Sequence, residues 1–205
     1  MFIVVTIPAF NEEKTIGKLI SEIHEIMKSN KYSYKVLVLD DGSKDKTKQI
    51  SIKYGAEVYS HPKNYGLAET FKSEIKRSLE LNADVIVHID ADSQYLPRDI
   101  PRLLTEIKNN YDFVLGSRFK GRIESMPLIK RLGNIAFSKV ISGITGQRFS
   151  DAQTGFRAFT SDVASKIDII SDHTYTQEQI IKAVQNKFRI KEVPIYFAKR
   201  KDKSR

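Results

Sequence analysis

The stretch Asp84-Val-Ile-Val-His-Ile-Asp-Ala-Asp-Ser-Gln94 decides how the chain is interpreted. Its first half is a short apolar run rich in β-branched side chains, which is typical of a buried parallel strand. Its second half directs Asp90 and Asp92 to one side, because alternate residues of an extended segment point the same way. Two carboxylates that close repel each other unless one is protonated or a cation lies between them. With the Gln94 amide they suit Mg²⁺ or Mn²⁺; the alternative is two solvated acids capping the next helix.

Apolar runs alternate with amphipathic helix patterns on both sides of this stretch. The strand-like runs are residues 2–7, 35–39, 57–59, 85–89 and 112–116, with a closing strand expected over 188–197. Such alternation, with helices of about 10 to 18 residues between the strands, predicts an α/β fold with a mainly parallel central sheet flanked by helices. We expect a single domain over residues 1–198 and a basic C-terminal tail over 199–205.

Polar clusters follow three of the predicted strands. In parallel sheets, ligands bind beyond the carboxyl ends of the strands, so clusters in these positions predict one shared site. Asn11 and Ser43 could instead serve as helix N-caps at two of these strand ends. The recurrence favours a site for a metal and a nucleotide, built from Asn11-Glu12-Glu13, Asp40-Asp41 and Asp90-Ala91-Asp92.

Composition narrows the class of protein. The chain has 205 residues, no cysteine and a formal net charge of +9, with 34 Lys and Arg against 25 Asp and Glu. The absence of cysteine excludes disulfides and fits a reducing cytoplasm. No run approaches the ~18 apolar residues of a membrane span and no signal peptide is evident, so we expect a cytoplasmic protein, soluble or peripheral to the membrane. The excess of positive charge predicts an anionic partner: nucleic acid, phosphorylated substrates or an acidic membrane surface.

Six short motifs follow one another along nearly the whole chain. They are Pro8-Ala-Phe-Asn-Glu-Glu13, Asp40-Asp-Gly-Ser43, Asn64-Tyr-Gly66, Asp90-Ala-Asp-Ser-Gln94, Gly116-Ser-Arg118 and Thr154-Gly-Phe-Arg157. Together they resemble those of family 2 glycosyltransferases of the GT-A (Rossmann-like) fold, and they are similar above all to the dolichol- or polyprenyl-phosphate mannose and glucose synthases. The ordered set is far more specific than any single motif.

This resemblance implies a binding site for the donor nucleotide and its metal. Mg²⁺ or Mn²⁺ would be held by Asp90, Asp92 and Gln94, and would stabilise charge on the departing diphosphate. Phe10 stands where the family often has Tyr, and its alternative role is that of a core aromatic. Asp41 could accept a hydrogen bond from the base or ribose, or could cap the helix after it. The implied donor-binding residues are Pro8, Phe10, Glu12, Leu39, Asp41, Asp90 and Ala91.

The resemblance also implies a binding site for the acceptor phosphate. Arg118 and Arg131 match the phosphate-contacting positions, and with Asp92 they are the implied catalytic residues. A guanidinium group suits bidentate phosphate binding, although both arginines could instead be surface charges in a mobile loop. The family's C-terminal Arg falls on Lys199, or on Arg200 after a one-residue shift; we assign it to Arg200. An ionised phosphate acceptor needs no general base, only cations that place it.

Other polar residues are ambiguous. Arg157 could assist at the phosphate or pair with a structural acid such as Asp151. Glu178 could touch sugar hydroxyls or serve as a favourable charge in the first turn of a helix. His88 lies in a predicted strand, and we expect a hydrogen-bonded core residue.

The resemblance favours a metal-dependent, inverting hexosyltransferase that moves mannose from GDP-mannose to a polyprenyl or dolichyl phosphate. Its basic segments would contact the cytoplasmic face of the membrane. The alternatives are a UDP-glucose-dependent enzyme, a relative with a hydroxyl acceptor, a catalytically inactive scaffold or a nucleic-acid binder. The last is disfavoured because acids at strand ends would repel a nucleic-acid backbone. The absence of Trp argues against the processive polysaccharide synthases of the same superfamily.

Overall fold

The structure, a computed structural model, describes residues 1–200, and its centre is one mixed β-sheet. Within those residues seven strands pair in the order β3-β2-β1-β4-β6-β5-β7. All pairings are parallel except those of β6, which runs antiparallel to both its neighbours. The predicted mainly parallel sheet is confirmed. The strands are β1 (Phe2–Ala9), β2 (Ser33–Asp40), β3 (Glu57–Ser60), β4 (Val85–His88), β5 (Phe113–Ile123), β6 (Arg157–Thr160) and β7 (Ile190–Phe197).

Helices cover both faces of the sheet, because alternate strand residues are apolar on both sides. On β1, Ile3, Val5 and Ile7 face α1 and α4, whereas Val4 faces the core shared with α3, α6 and α7. The helices are α1 (Ile16–Ser29), α2 (Thr47–Lys53), α3 (Leu67–Glu80), α4 (Ile100–Lys108), α5 (Leu128–Thr145), α6 (Ser161–Lys166) and α7 (Tyr175–Gln185). No helix within the described residues is long and apolar enough to cross a membrane.

The first two helices begin later than the sequence indicates. Asn11 adopts a left-handed conformation with φ of 54°, and α1 begins at Ile16. Asn11 and Ser43, which were expected to cap helices, instead connect the loop after β1 to the loop after β2. The backbone N–H of Asn11 donates to Ser43 Oγ (2.9 Å), and the backbone N–H of Lys44 donates to Asn11 Oδ1 (2.8 Å). These contacts fix the strand ends where the site was expected.

The basic segment after residue 116 differs from the expected loop. It continues as strand β5 to Ile123 and pairs with β7, with a register shift between Ser117 and Arg122. The end of β7 thereby approaches the carboxyl ends of the central strands, and residues 199 and 200 follow it. The remaining predicted tail, 201–205, lies outside the described residues.

Candidate active site

A cavity of about 570 Å³ lies at the carboxyl ends of β1, β2 and β4. The three polar clusters meet at this edge of the sheet, as the strand pattern predicts. Further walls come from the segment before β6, from α5, from the start of α7 and from the end of β7. Among its lining residues are ten of the predicted site residues: Pro8, Phe10, Glu12, Asp41, Asp90, Ala91, Asp92, Gln94, Arg118 and Arg200.

Two acids, Asp90 and Asp92, form the floor of the cavity. Burial and the neighbouring charge of Asp90 raise the pKa of Asp92 to about 6. Asp92 Oδ1 accepts the Gln94 N–H at 3.0 Å, and its Oδ2 lies 3.7 Å from Arg200 Nη1. Gln94 donates its amide N–H to the Ala198 carbonyl (3.2 Å), which leaves the amide oxygen as its potential ligand atom.

The acidic floor resembles an open Mg²⁺ site, in which water and substrate complete the coordination, and not a site in which protein supplies every ligand. No group of three or more His, Cys, Asp or Glu residues that could hold a metal occurs within residues 1–200. Mg²⁺ is commonly bound by one or two carboxylates, with water and substrate phosphates completing its shell. Asp90 and Asp92 supply that number of carboxylates, and Gln94 supplies a neutral oxygen. Burial and the adjacent charge of Asp90 both raise the pKa of Asp92, so they disfavour its ionised form, and a bound cation would favour it.

Asp90 is held by neighbours that the sequence did not reveal. On one side, an added Cβ at Gly155 would collide with the Asp90 carboxylate, so this glycine provides the space for that side chain. Gly155 also donates its N–H to the Tyr95 hydroxyl (3.0 Å). On the other side, His88 Nε2 lies 3.5 Å from Asp90 Oδ1. The Thr154-Gly-Phe-Arg157 motif therefore shapes the acidic floor through its glycine.

His88 differs from the fully hydrogen-bonded core residue expected from the sequence. Its Nδ1 lies 2.6 Å from Glu74 Oε2, but its Nε2 has no hydrogen-bond partner in the described part of the chain. Thr6 donates its hydroxyl to the same Glu74 oxygen (2.9 Å). Burial alone would lower the pKa of His88, but the carboxylates of Glu74 and Asp90 outweigh burial and raise it to about 9. His88 is therefore a buried imidazole between two acids that both raise its pKa.

On the nucleotide side, Asp41 organises a loop. Its carboxylate accepts the N–H groups of Tyr65 (2.9 Å) and Gly66 (2.8 Å) and contacts His61 Nδ1 (2.8 Å). The carboxylate thus holds the 61–66 loop and does not cap α2, whose first residue is Thr47. Asp41 still lines the cavity, so its contact with a base or ribose stays a prediction.

Leu39 is not among the residues that line the cavity, and its predicted contact with the donor nucleotide stays a prediction. Strand alternation directs its side chain into the core beneath α3, where it is 1% exposed. The side chain does not line the cavity. Phe10, by contrast, is 38% exposed at the cavity and is no core aromatic.

Arg118 is buried at the cavity wall and is not a surface charge in a loop. Its Nε and Nη2 each donate to Asp151 at 2.7 Å, and its backbone N–H adds a third bond at 2.9 Å. Although burial alone would lower the pKa of Arg118, the hydrogen bonds to Asp151 raise it. Asp151 thus pairs with Arg118, and the alternative partner considered from sequence, Arg157, bonds to the Gln179 side chain (2.9 Å) and backbone carbonyls.

The structure separates Arg131 from the cavity. Helix α5 directs Lys130 and Asn134, one turn apart, toward the site, and Arg131 is exposed on the adjacent face. The prediction that Arg131 contacts a phosphate in the cavity is therefore not supported by its position. Asn134 was not identified as a site residue from the sequence. Its i, i+4 spacing from Lys130 on the predicted helix was the signal that could have indicated it. Arg200 lies at the cavity, whereas the Lys199 N–H donates to Glu124 Oε2 (2.9 Å).

Glu178 has a structural role. Its carboxylate accepts the N–H groups of Ile170 (3.1 Å) and Ser171 (2.8 Å) and pairs with Lys182 (2.7 Å). These bonds fasten the segment before α7, whose first residues Tyr175 and Thr176 line the cavity. Within the described part of the chain, Glu178 is not among the residues that line the cavity. Its position therefore does not support the alternative in which it touches sugar hydroxyls.

Comparisons with known proteins agree with this architecture. A crystal structure of glucosyl-3-phosphoglycerate synthase from Mycobacterium tuberculosis, in complex with Mn²⁺, UDP-glucose and phosphoglyceric acid, superposes with a TM-score of 0.78. It is 19% identical, and the match covers 98% of this chain and 72% of that one. The fold is that of the GT-A glycosyltransferases.

The sequence comparisons identify the family. The chain belongs to glycosyl transferase family 2, whose sequence model matches residues 4–168. A UDP-N-acetylglucosamine–dolichyl-phosphate N-acetylglucosaminyltransferase from Methanococcus voltae is 31% identical over 92% of this chain and 82% of its own length. A dolichyl-phosphate hexose transferase from Haloferax volcanii is 32% identical over 96% of this chain and 82% of its own. The protein is a glycosyltransferase, which excludes the non-enzymatic nucleic-acid binder that its charge alone permitted.

Proposed function

We propose that the protein transfers a hexose from a nucleotide sugar to a polyprenyl or dolichyl phosphate, with Mg²⁺ or Mn²⁺ and with inversion at the anomeric carbon. The observation that carries the proposal is the arrangement of charge in one cavity. Asp90 and Asp92 form its floor, and Arg118, Lys130 and Arg200 supply cations around it. Such a cavity suits two phosphate groups, one reached through a metal and one bound directly by cations.

The donor would lie along the ends of β1, β2 and β4. Pro8, Phe10, Glu12 and Asp41 would contact the nucleoside, and Asp90 and Asp92 would hold the divalent ion at its diphosphate. A bound Mg²⁺ or Mn²⁺ would neutralise the charge of the departing diphosphate. Mannose from GDP-mannose is the first candidate, with UDP-glucose as the alternative. The name of the Methanococcus voltae relative makes UDP-N-acetylglucosamine a third donor to test.

The acceptor would approach from the side of α5. Its ionised phosphate oxygen forms the new bond to the anomeric carbon as the bond to the diphosphate breaks on the opposite face. No proton has to be removed, so the chain needs cations near the nucleophile and no general base. Arg118 is the best placed, because Asp151 holds its guanidinium rigidly at the cavity wall. Lys130 and Arg200 add charge from two other elements.

The exposed face of α5 supports attachment to a membrane surface. Its large apolar side chains are more than half exposed, up to 87% for Ile129, and Lys130, Arg131 and Lys139 lie among them. Apolar side chains interleaved with basic ones are typical of helices that lie in the interface of an anionic membrane. The proposed acceptor is itself a lipid, so contact with the cytoplasmic face would bring its phosphate to the cavity. The exposed apolar residues are Leu128, Ile129, Leu132, Phe137, Val140 and Ile144.

A transfer assay tests the function. Labelled GDP-mannose, UDP-glucose and UDP-N-acetylglucosamine would each be incubated with dolichyl or undecaprenyl phosphate, with and without EDTA. We expect lipid-linked product from one donor, loss of product with EDTA, and its recovery with excess Mg²⁺ or Mn²⁺. Product that forms equally well in EDTA contradicts the metal assignment. Sugar transfer to a hydroxyl acceptor, with none to either lipid phosphate, contradicts the proposed acceptor.

Two matched variants test whether turnover depends on the acidic floor of the cavity. Asp92→Ala should lower turnover about a thousandfold, since it removes a charge that binds the metal diphosphate. Asp162→Ala, which removes an exposed acid paired with Lys166 on α6, should leave turnover unchanged. Equal activity of the two variants would remove Asp92 from the site.

A further inference from the structure

A buried polar chain lies behind the acidic floor, and the proposed transfer reaction does not use it. Thr6 on β1, Glu74 on α3 and His88 on β4 are each 0% exposed. Their contacts run from the Thr6 hydroxyl to Glu74 and from Glu74 to the imidazole of His88. The far nitrogen of that ring faces Asp90. The chain therefore connects the interior of the fold with the edge of the cavity.

This arrangement is costly as a device for stability alone. Burying ionisable side chains such as Glu74 and His88 is costly, and well-packed apolar residues are often as stable as a buried ion pair. The hydrogen bonding is also incomplete, since Glu74 Oε1 and His88 Nε2 have no hydrogen-bond partner in the described part of the chain. Buried polar atoms left in this way often mark a functional site.

The position of His88 relative to Asp90 indicates what that function is. His88 is the last residue of β4, and Asp90 follows it by two positions in the loop at the cavity. Nε2 faces Oδ1 at 3.5 Å, an ion-pair contact longer than a direct hydrogen bond. Gly155 lies against the same carboxylate from the other side. Asp90 is thus flanked by the His88 ring on one side and by the Gly155 backbone on the other.

We propose that His88 is a positioning residue for Asp90 and that Glu74 holds the His88 ring in the orientation this requires. The proposal rests on the proposed function, since Asp90 acts there as a metal ligand. Glu74 is itself fixed by the Thr6 hydroxyl, so the contacts run in one line from β1 through α3 and the His88 ring to Asp90. Positioning partners of metal ligands of this kind typically change metal affinity about 10- to 100-fold when mutated.

Two substitutions at His88 separate positioning from packing. In His88→Gln the amide nitrogen reaches about as far as Nε2 and retains a donor toward Asp90. In His88→Asn the amide nitrogen reaches only as far as Nδ1 and retains a donor toward Glu74. Both variants remove the ring and its charge, so a purely structural role predicts similar losses in both.

The measurement is Mn²⁺ affinity, read from the electron paramagnetic resonance of free Mn²⁺ in the presence of GDP or UDP, without turnover. We expect His88→Asn to weaken Mn²⁺ binding about 10- to 100-fold, and His88→Gln, which keeps the donor toward Asp90 but loses the Glu74 contact, to weaken it only severalfold. Nucleotide affinity measured by calorimetry without metal should not change. Wild-type Mn²⁺ affinity in a folded His88→Asn variant, or equal losses in both variants, would overturn the proposal.

Two further variants keep the outcome decisive. Should His88→Asn fail to fold, Thr6→Val removes just the hydroxyl that donates to Glu74. It should weaken Mn²⁺ binding severalfold, and unchanged binding would count against the proposal. Asp92→Asn separates the two hypotheses. If Mn²⁺ binding is tight in wild type, lost in Asp92→Asn and intact in the His88 variants, positioning fails alone. If wild type binds no Mn²⁺ with either nucleotide, the metal site fails as well.

Discussion

The two sides of the cavity are built in different ways. The donor edge, formed by the ends of β1, β2 and β4, consists of acids fixed by other parts of the protein. Asp41 is bonded to the 61–66 loop, and Asp90 lies between His88 and Gly155. The acceptor side, formed by α5 and the end of β5, has a buried Arg118 but an otherwise exposed apolar helix face.

This difference indicates which kind of ligand each side of the cavity would bind. A preorganised site stabilises charge at little cost in reorganisation, which suits a small diphosphate of fixed shape. The acceptor side leaves large apolar side chains in water, and contiguous exposed apolar surface usually marks an interaction site. On the proposed function, the side assigned to the donor is fixed by protein contacts in the isolated chain, whereas the side assigned to the acceptor leaves apolar surface that a lipid could cover. Four variants test this contrast, from the largest expected effect to the smallest.

The largest effect is expected at the buried ion pair of the acceptor side. Asp151→Asn should lower the free energy of unfolding by about 3–5 kcal/mol, because the Arg118 charge loses its partner at a site with 4% exposure. Urea denaturation measures this change. Glu57→Gln, which breaks an exposed pair with Lys35, is the control and should cost less than about 1 kcal/mol. Equal costs would mean that Arg118 is solvated and that the acceptor side has no rigid part.

At the donor edge, Gly155→Ala should impair activity more than folding. The added methyl group would collide with the Asp90 carboxylate, so we expect turnover to fall about 100-fold and Mn²⁺ affinity to fall with it. Overpacking should cost about 1–3 kcal/mol of stability. Gly143→Ala on α5 is the matched control, since its Cβ would meet no atom within 4 Å. Full activity in Gly155→Ala would show that the donor edge can adapt.

A smaller, pH-dependent effect is expected at α7, which packs against α5. Burial alone would raise the pKa of Glu178, but its bonds from Lys182, Ser171 and Ile170 lower it. A lowered pKa in the folded state means that the stabilisation is present above the ordinary pKa of about 4.3 and is lost as pH falls through the folded value.

Glu178→Gln should therefore cost about 1–2 kcal/mol at pH 7, and the difference from wild type should shrink below about pH 4. Urea denaturation at both pH values measures the difference. The exposed Glu80, paired with Arg77, provides the control Glu80→Gln, with an expected cost under about 1 kcal/mol. A Glu178→Gln cost that is the same at both pH values would contradict the stated cause.

The smallest effect on stability is expected on the exposed face of α5. The double variant Ile129→Ser and Leu132→Ser should change the free energy of unfolding by no more than about 0.5 kcal/mol per site, because both side chains are already in water. Its sedimentation with vesicles that contain anionic lipid should nevertheless fall about tenfold. Ile52→Ser, on α2, removes a comparably exposed apolar residue and should sediment as wild type does. Unchanged sedimentation of the double variant would refute a lipid-facing α5.

The sheet and the acidic floor were predictable because they follow local patterns. Apolar runs and strand ends are properties of consecutive residues, and a parallel sheet brings strand ends together whatever the loops do. Asp90 and Asp92 both line the cavity, although Ala91 and Asp92 form a turn and not the extended segment that the spacing predicts. Helix starts were less predictable, because Asn11 and Ser43 bond between two loops and not within their own.

The partners of the charged residues were not predictable from local pattern. Asp151 is close in sequence to Arg157, yet it pairs with Arg118, because the antiparallel β6 turns Arg157 into the core against α7. The choice between Lys130 and Arg131 depends on the rotational phase of α5, which a helix pattern fixes only to within a residue or two. His88 resembled an ordinary strand residue, since its partner Glu74 lies on a helix that packs against β1 and β2.

The antiparallel β6 also has a consequence for synthesis of the chain. β4 is complete once residue 88 has left the ribosome, but its neighbour β6 is not available until residue 160. In the interval, one edge of β4 has no strand beside it, and an unpaired edge can join another chain. A polypeptide that stalls in this interval would have Asp90 and Asp92 next to a strand edge that can pair with another chain. The order of synthesis thus leaves this strand edge unpaired while about 70 further residues are added.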